Sequence, residues 1–171
     1  MPNTFSLIAS STVGAGGSAD ITFSSIPNTY TDLCIVFSLR DNLAGATQNN
    51  ILFTINGSSS NYSERQLNGS GSAAGSASRS SVNIGLFYAT SASATSNTFA
   101  NGSIYIPNYT GSNNKSISID AVTENNATTA YAVFNAALWS DSAAITSLKL
   151  ASNGASYVQY STAYLYGIIK S

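Results

Sequence analysis

The side chains that could carry acid–base chemistry are few in this chain, and the type that enzymes use most is missing. The sequence holds no histidine, which removes the commonest general base and excludes a Ser-His-Asp triad. The seven carboxylates are Asp20, Asp32, Asp41, Glu64, Asp120, Glu124 and Asp141. Two of them at a suitable separation would serve a glycosidase, but most stand beside predicted turns or on polar strand faces, where carboxylates are hydrated. We therefore predict that the chain is not an enzyme.

Metal and cofactor sites are not indicated either. Cys34 is the single cysteine, and its neighbours Ile35 and Val36 predict a buried strand residue rather than a nucleophile. One cysteine without histidine makes a zinc site implausible, and no EF-hand spacing occurs. The Gly14–Gly17 stretch lacks the Lys-Ser/Thr ending of a phosphate-binding loop. We predict no cofactor and no metal.

The charge content limits the partners. Only 8% of the residues are charged and the formal net charge is −1, whereas an ordinary domain has roughly 25% charged residues. The six cations are scattered along the chain at Arg40, Arg65, Arg79, Lys115, Lys149 and Lys170. A nucleic-acid surface needs clustered cations, so we expect no nucleic-acid partner. Weak repulsion between copies favours close packing of the protein against itself, although compositional drift in a secreted or high-salt protein would give the same content.

Targeting signals are not evident. No window approaches the roughly 20 apolar residues of a membrane helix, and Met1–Ala9 has no basic leader or long apolar stretch. We therefore expect no membrane association, synthesis in a cytoplasm and no export by the usual route.

Alternation of apolar and polar residues predicts strands along the whole chain. The clearest sets are 33–39, 51–55, 82–86, 117–119, 132–138 and 160–169. Asn-Gly pairs at positions 56, 68, 101 and 153 predict tight turns. Ile26-Pro27-Asn28 recurs at Ile106-Pro107-Asn108, which is compatible with two similar corners in paired Greek keys. The pattern predicts about eleven strands, no helix, and a β-sandwich or barrel. With the two corners we expect one antiparallel jelly-roll β-sandwich domain over residues 1–171.

Two regions carry the candidate contact residues. Asn68–Ser81 is a Gly/Ser/Ala-rich segment, which we interpret either as a flexible surface loop or as an arm that orders on a neighbouring subunit. Tyrosines crowd the C-terminal part, where they would serve the rim of the core, a subunit contact or a sugar-stacking surface. The candidate interface residues are Arg79, Tyr157, Tyr160 and Tyr164.

Several segments, in order along nearly the whole chain, resemble one family of virion proteins. They are Phe23–Leu33, Asn61–Gly69, Ile104–Gly111 with Asn114–Ser116, Val122–Ala127, Leu138–Ser140, Ala144–Thr146 and Tyr164–Ile168. The family is common among tailed bacteriophages of aquatic bacteria, including cyanophages. Its members look like jelly-roll proteins and are described as capsid decoration (cement) proteins or as tail or fibre components. The resemblance implies a non-enzymatic structural protein on the virion.

Two roles within that family are distinguished by sequence. The first is a cement protein, a homotrimer on the capsid surface that clamps neighbouring copies of the major capsid protein. The second is a receptor-binding domain of a tail fibre that recognises host glycans. A fibre component usually brings an attachment region, whereas the first predicted strand begins near Phe5, so the sequence favours the cement role. A cellular lectin is a third, minor hypothesis.

Overall fold

A computed structural model describes residues 4–126 and 130–169. These residues form twelve β-strands and no helix. The strands are β1 Phe5–Thr12, β2 Asp20–Phe23, β3 Asp32–Leu39, β4 Gln48–Ile55, β5 Tyr62–Gly69, β6 Ala74–Ser81, β7 Tyr88–Thr90, β8 Ala100–Ile106, β9 Lys115–Val122, β10 Ala132–Trp139, β11 Leu148–Ser152 and β12 Thr162–Ile168. None of the described residues forms a helix with the length and apolarity that a bilayer crossing demands.

Two antiparallel sheets pack into a sandwich. The larger sheet has the order β1-β12-β3-β8-β9-β10-β5-β6, and the smaller sheet has the order β2-β11-β4-β7. The first four strands of the larger sheet, β1-β12-β3-β8, correspond one by one to the four strands of the smaller sheet, β2-β11-β4-β7. The two strands at each position of these orders follow each other along the chain. A ribbon of paired strands rolled up in this way is a jelly roll. The predicted fold class is confirmed.

The core lies where the alternation places it. The inward side chains of β3, at positions 33, 35, 37 and 39, are fully buried, as are Ile51, Phe53 and Ile55 of β4. Gly102 lies inside β8, where an added Cβ would come within 2.7 Å of the Phe37 ring and 2.2 Å of the Asp120 carbonyl oxygen. The Asn-Gly pair at 101 therefore lies within a strand, where the glycine lets the Phe37 ring pack closely against the backbone. The turn predicted there is wrong.

Four strands extend the larger sheet beyond the jelly roll. β9, β10, β5 and β6 continue it past β8, and the segment 82–87 lies over the inner face of this extension. A strand was predicted over 82–86, but the segment makes only one isolated bridge, between Ile84 and Phe53. Burial does not follow the alternation there, because Ile84 and Phe87 are buried under the extension while Val82 is exposed.

The Ser-rich segment is a hairpin, so the predicted flexible loop over 68–81 is wrong. β5 runs to Gly69, and β6 pairs with it in continuous register from Gly69 opposite Ala74 to Tyr62 opposite Ser81. The Asn-Gly pair at 68 lies at the end of β5, and the turn itself closes through the Ser70 amide and the Ala73 carbonyl, 2.9 Å apart. Strand pairing uses backbone groups, which small polar residues supply as well as apolar ones.

The two similar corners meet. The Tyr109 hydroxyl donates a hydrogen bond to the carbonyl of Pro27, and the amide of Tyr30 donates to the same hydroxyl at 3.5 Å. Tyr109 is fully buried. The repeated Ile-Pro-Asn motif therefore marks two loops that pack against each other at one end of the sandwich.

Candidate functional site

Glu64 of β5 is a buried carboxylate, which the sequence did not reveal. Its side chain accepts hydrogen bonds from the Arg79 guanidinium at 2.7 Å, the backbone amides of Gly85 at 3.1 Å and Leu86 at 3.0 Å, and the Asn135 side chain at 2.8 Å. Only 2% of the residue is exposed. Because donors surround both oxygens, the group fixes the segment 82–87 and is not available to a substrate.

Asp41 is the second buried carboxylate. It accepts hydrogen bonds from the Asn49 side chain and the Ser152 hydroxyl, both at 2.8 Å, and from the Leu43 amide at 3.2 Å. The residue is fully buried. Glu64 and Asp41 therefore differ from the hydrated carboxylates that we predicted, because each accepts several hydrogen bonds, and the donors include residues far away along the chain, Asn135 for Glu64 and Ser152 for Asp41.

The remaining chemistry is sparse. Among residues 4–126 and 130–169, no group of three or more cysteine or acidic side chains is arranged to hold a metal ion. Cys34 lies half-buried on the outward side of β3 rather than in the core, so its predicted burial is wrong. Burial, with a smaller contribution from the Asp120 charge, raises the pKa of the Cys34 thiol, which keeps it in the poorly nucleophilic protonated form.

The outward side of the sheet extension carries an apolar surface. Leu67, Phe134 and Val122 are 63%, 55% and 43% exposed. Leu67 lies directly across from Phe134 on the adjacent strand, and Ala132 lies across from Val122. We call Leu67, Val122, Ala132, Phe134 and Ala136 the outer patch. Large apolar side chains grouped on one surface typically mark an association site.

Two depressions flank the centre of the outer patch. One, of about 340 Å³, is lined by Leu67, Phe134, Val122 and Asp120 among others, and lies toward β9. The other, of about 490 Å³, is lined by Leu67, Phe134, Ala136 and Arg65 among others, and extends to β6. Phe134 and Leu67 contribute to both depressions. They form a ridge with a hollow on each side.

The two charges at the outer patch have opposite signs and lie on opposite sides of Phe134. Asp120 is across from Phe134 on β9, and Arg65 is across from Ala136 on β5. The Arg65 guanidinium donates to the Glu64 carbonyl at 2.9 Å, and Asp120 accepts from the Ser103 hydroxyl at 2.5 Å. Within the described residues the sole ion pair of the chain joins Arg79 to Glu64. Arg65 and Asp120 thus remain without an ionic partner there.

The four predicted interface residues are not brought together. Arg79 lies on β6, at one edge of the larger sheet, and forms an ion pair with Glu64. Tyr164 is exposed on β12, next to the other edge. Tyr160 is exposed and adopts a positive φ of 72° just before β12. Tyr157 is fully buried, and this contradicts its selection as a contact residue, because the core takes up the whole ring.

The outer patch itself was missed by sequence reasoning. In β10 both alternating sets contain apolar residues, so the pattern does not say which set faces the core. The structure buries Asn135 and exposes Phe134 because Asn135 is the residue that bonds Glu64. The residue that decides the orientation of β10 is Asn135, through its hydrogen bond to the buried Glu64. A contact between residues so far apart along the chain cannot be detected in the pattern of a single sequence.

No protein-family model, curated protein or solved structure matches this chain.

Proposed function

We propose that the protein is a structural virion component, a capsid decoration (cement) protein that binds the outer capsid surface as a homo-oligomer, three copies by our expectation, and clamps neighbouring major capsid subunits. The observation that carries this proposal is the outer patch, where Leu67 and Phe134 lie side by side and are 63% and 55% exposed. A protein that works in isolation gains nothing from such a surface, whereas one that associates buries it.

The build of the molecule supports a mechanical role. The two buried carboxylates, Glu64 and Asp41, are occupied in holding segments together. The sandwich is stiffened by continuous strand pairing across eight strands. Clamping requires no reaction, because its strength comes from contact area multiplied over symmetric copies.

The proposal is tested on purified phage particles that carry this protein. Its stained band should match the major capsid protein in molar amount within a small factor, and particles that lack it should release DNA at lower temperature or after milder osmotic shock. Adsorption to the host should be unchanged. A handful of copies per particle, or full capsid stability without the protein, would reject the cement role.

A receptor-binding role is the alternative that a second feature favours. At the end of the larger sheet, a cleft of about 390 Å³ is lined by Tyr105, Asp32 and Asn108 among others. The Asp32 carboxylate accepts hydrogen bonds from the Tyr105 hydroxyl at 2.7 Å and the Asn108 amide at 2.9 Å. An exposed tyrosine ring beside a fixed carboxylate suits sugar hydroxyls and sugar faces. Loss of adsorption with sound capsids, in the same particles, would support this role instead.

A further inference from the structure

We propose that the outer patch is the contact between copies of this chain, with the Phe134–Leu67 ridge of one copy seated in a depression of the next. The inference deepens the proposed function, since it names the surface through which the homo-oligomer forms. It depends on shape, on charge and on the position of the patch in the sheet.

The shape of the patch provides both parts that a contact between copies needs. The ridge formed by Phe134 and Leu67 projects between hollows of about 340 and 490 Å³, so one surface holds both the projecting and the receiving parts. Packing of this kind removes most of the exposed area of both side chains from water.

The two charges at the outer patch, Asp120 and Arg65, have opposite signs, so those of one copy can pair with those of another. Asp120 is on the β9 side of Phe134 and Arg65 is on the β5 side. When copies are related by a rotation axis parallel to β10 and in front of the outer patch, the β9 side of each copy faces the β5 side of the next. Every Asp120 then approaches an Arg65 of a neighbour. Sheets that pack face to face are about 10 Å apart, a gap that an arginine and an aspartate side chain together can bridge.

Unrelated partners explain these observations less well. A surface made for a different protein has no need to carry a ridge, its matching hollow and both charge signs within a few residues of one another. The same sheet also exposes Val36, Tyr105 and Tyr164 on its middle strands, and Phe5 and Leu7 on the edge strand β1, where the Phe5 ring packs edge-on against Tyr166 at 6.2 Å. Leu7 there is 56% exposed and serves as a matched control for Leu67.

The first experiment measures the mass of the isolated full-length protein by light scattering and sedimentation. We expect a multiple of 17.6 kDa for the wild type. Phe134→Asp and Leu67→Asp should each weaken self-association by roughly 30-fold or more, as loss of a central contact does. Leu7→Asp, with the same chemistry at an equally exposed site, should leave the mass unchanged.

The second experiment exchanges the charges. Arg65→Asp and Asp120→Arg should each weaken association because like charges then meet, and the double variant should restore it because the pair is reversed. Near-ultraviolet circular dichroism confirms that each variant is folded. A monomeric wild type at all concentrations overturns the inference, as does an oligomer that Phe134→Asp leaves intact or a double variant that stays dissociated.

The outcome is separable from that of the proposed function. The mass of the isolated chain tests the contact between copies and needs no capsid. An oligomer that forms through the outer patch but contributes nothing to capsid stability keeps the inference and rejects the cement role. If the isolated protein is monomeric but still decorates and stabilises capsids, the cement role is kept and the inference about the outer patch is rejected.

Discussion

Tyr157 and Tyr62 are two buried tyrosines whose hydroxyl groups have different surroundings. The Tyr62 hydroxyl accepts from the Ile55 amide at 2.8 Å and donates to the Ile55 carbonyl at 3.3 Å. The Tyr157 hydroxyl is buried, and the described residues offer it no hydrogen-bond partner. A buried hydroxyl that forms no hydrogen bond has lost its hydration without replacement. The two residues therefore form a matched pair in which the same substitution should have opposite effects.

Removal of each hydroxyl should separate the two cases. Tyr157→Phe should leave the free energy of unfolding unchanged or raise it by about 1 kcal/mol, because an unsatisfied group is removed. Tyr62→Phe should lower it by about 1–3 kcal/mol, because the Ile55 amide and carbonyl are left buried without their partner. Urea unfolding followed by tryptophan fluorescence gives both values. Equal losses in the two variants would contradict the assignment.

The same residues predict a response to alkali. Burial, with smaller contributions from the Asp41 and Asp20 charges, raises the pKa of Tyr157 above its ordinary value of 10.0, and burial also raises that of Tyr62. In the unfolded chain the phenols ionise near that ordinary value. Above it the unfolded state loses protons that the folded state keeps, so stability is full below about pH 10 and falls above it. The fall should be shallower in Tyr157→Phe, measured by urea unfolding between pH 8 and pH 11.

Single residues also show how far the sequence could predict. The core positions of β3 and β4 follow from alternation alone and are buried as expected. The burial of Glu64 does not follow, because its partners Gly85 and Asn135 lie 21 and 71 residues away along the chain. Only the folded chain brings these donors together. A carboxylate in a polar, alternating segment therefore gave no signal of being buried.

At the scale of elements, Glu64 joins three pieces of the sheet extension. Its carboxylate lies on β5, its cation Arg79 on β6, and its amide partners in the segment that covers the inner face. An added Cβ at Gly85 would come within 2.5 Å of the Arg79 guanidinium, so the Arg79 side chain would have to shift to admit it. The β5–β6 hairpin and the covering segment 82–87 should therefore become mobile together when the carboxylate is changed.

Glu64→Gln tests this coupling. The amide nitrogen of glutamine would face donors, and Arg79 would lose its counter-charge, so we expect a loss of about 3 kcal/mol in the free energy of unfolding. Hydrogen exchange should accelerate in β6 and in residues 83–87, with the strands of the smaller sheet unchanged. Glu124→Gln is the control, since Glu124 is exposed and accepts a hydrogen bond from the Asn126 amide two residues away. Similar exchange in both variants would rule out the coupling.

The hairpin shows why one element escaped prediction. β6 consists of Ala, Gly, Ser and one Arg, types with no alternation and weak strand preference. It is a strand because β5 offers a backbone edge along its whole length and because Arg79 is tied to Glu64. Tertiary context outweighs local preference here. Low complexity alone therefore does not distinguish a surface loop from an edge strand.

At the scale of the whole molecule, the topology brings the two ends of the described chain together. β1 and β12 pair with each other, and β12 also pairs with β3. β12 is thus an interior strand although it comes last, and its Ala163 and Leu165 are fully buried. Its Gly167 lies under the Tyr30 ring, where an added Cβ would come within 2.2 Å. The larger sheet therefore cannot be complete until the last strand has been added.

Truncation at either end should have unequal effects for this reason. A chain that stops after residue 161 lacks an interior strand and leaves β3 unpaired on one side, so it should show no cooperative thermal unfolding. A chain that starts at residue 13 lacks only the edge strand β1, whose inward side is half-buried, so it should unfold cooperatively at a lower temperature. Calorimetry of the two truncated chains makes the comparison. Cooperative unfolding without β12, or none without β1, would mean that the order of strands in the larger sheet is not what determines the stability of the jelly roll.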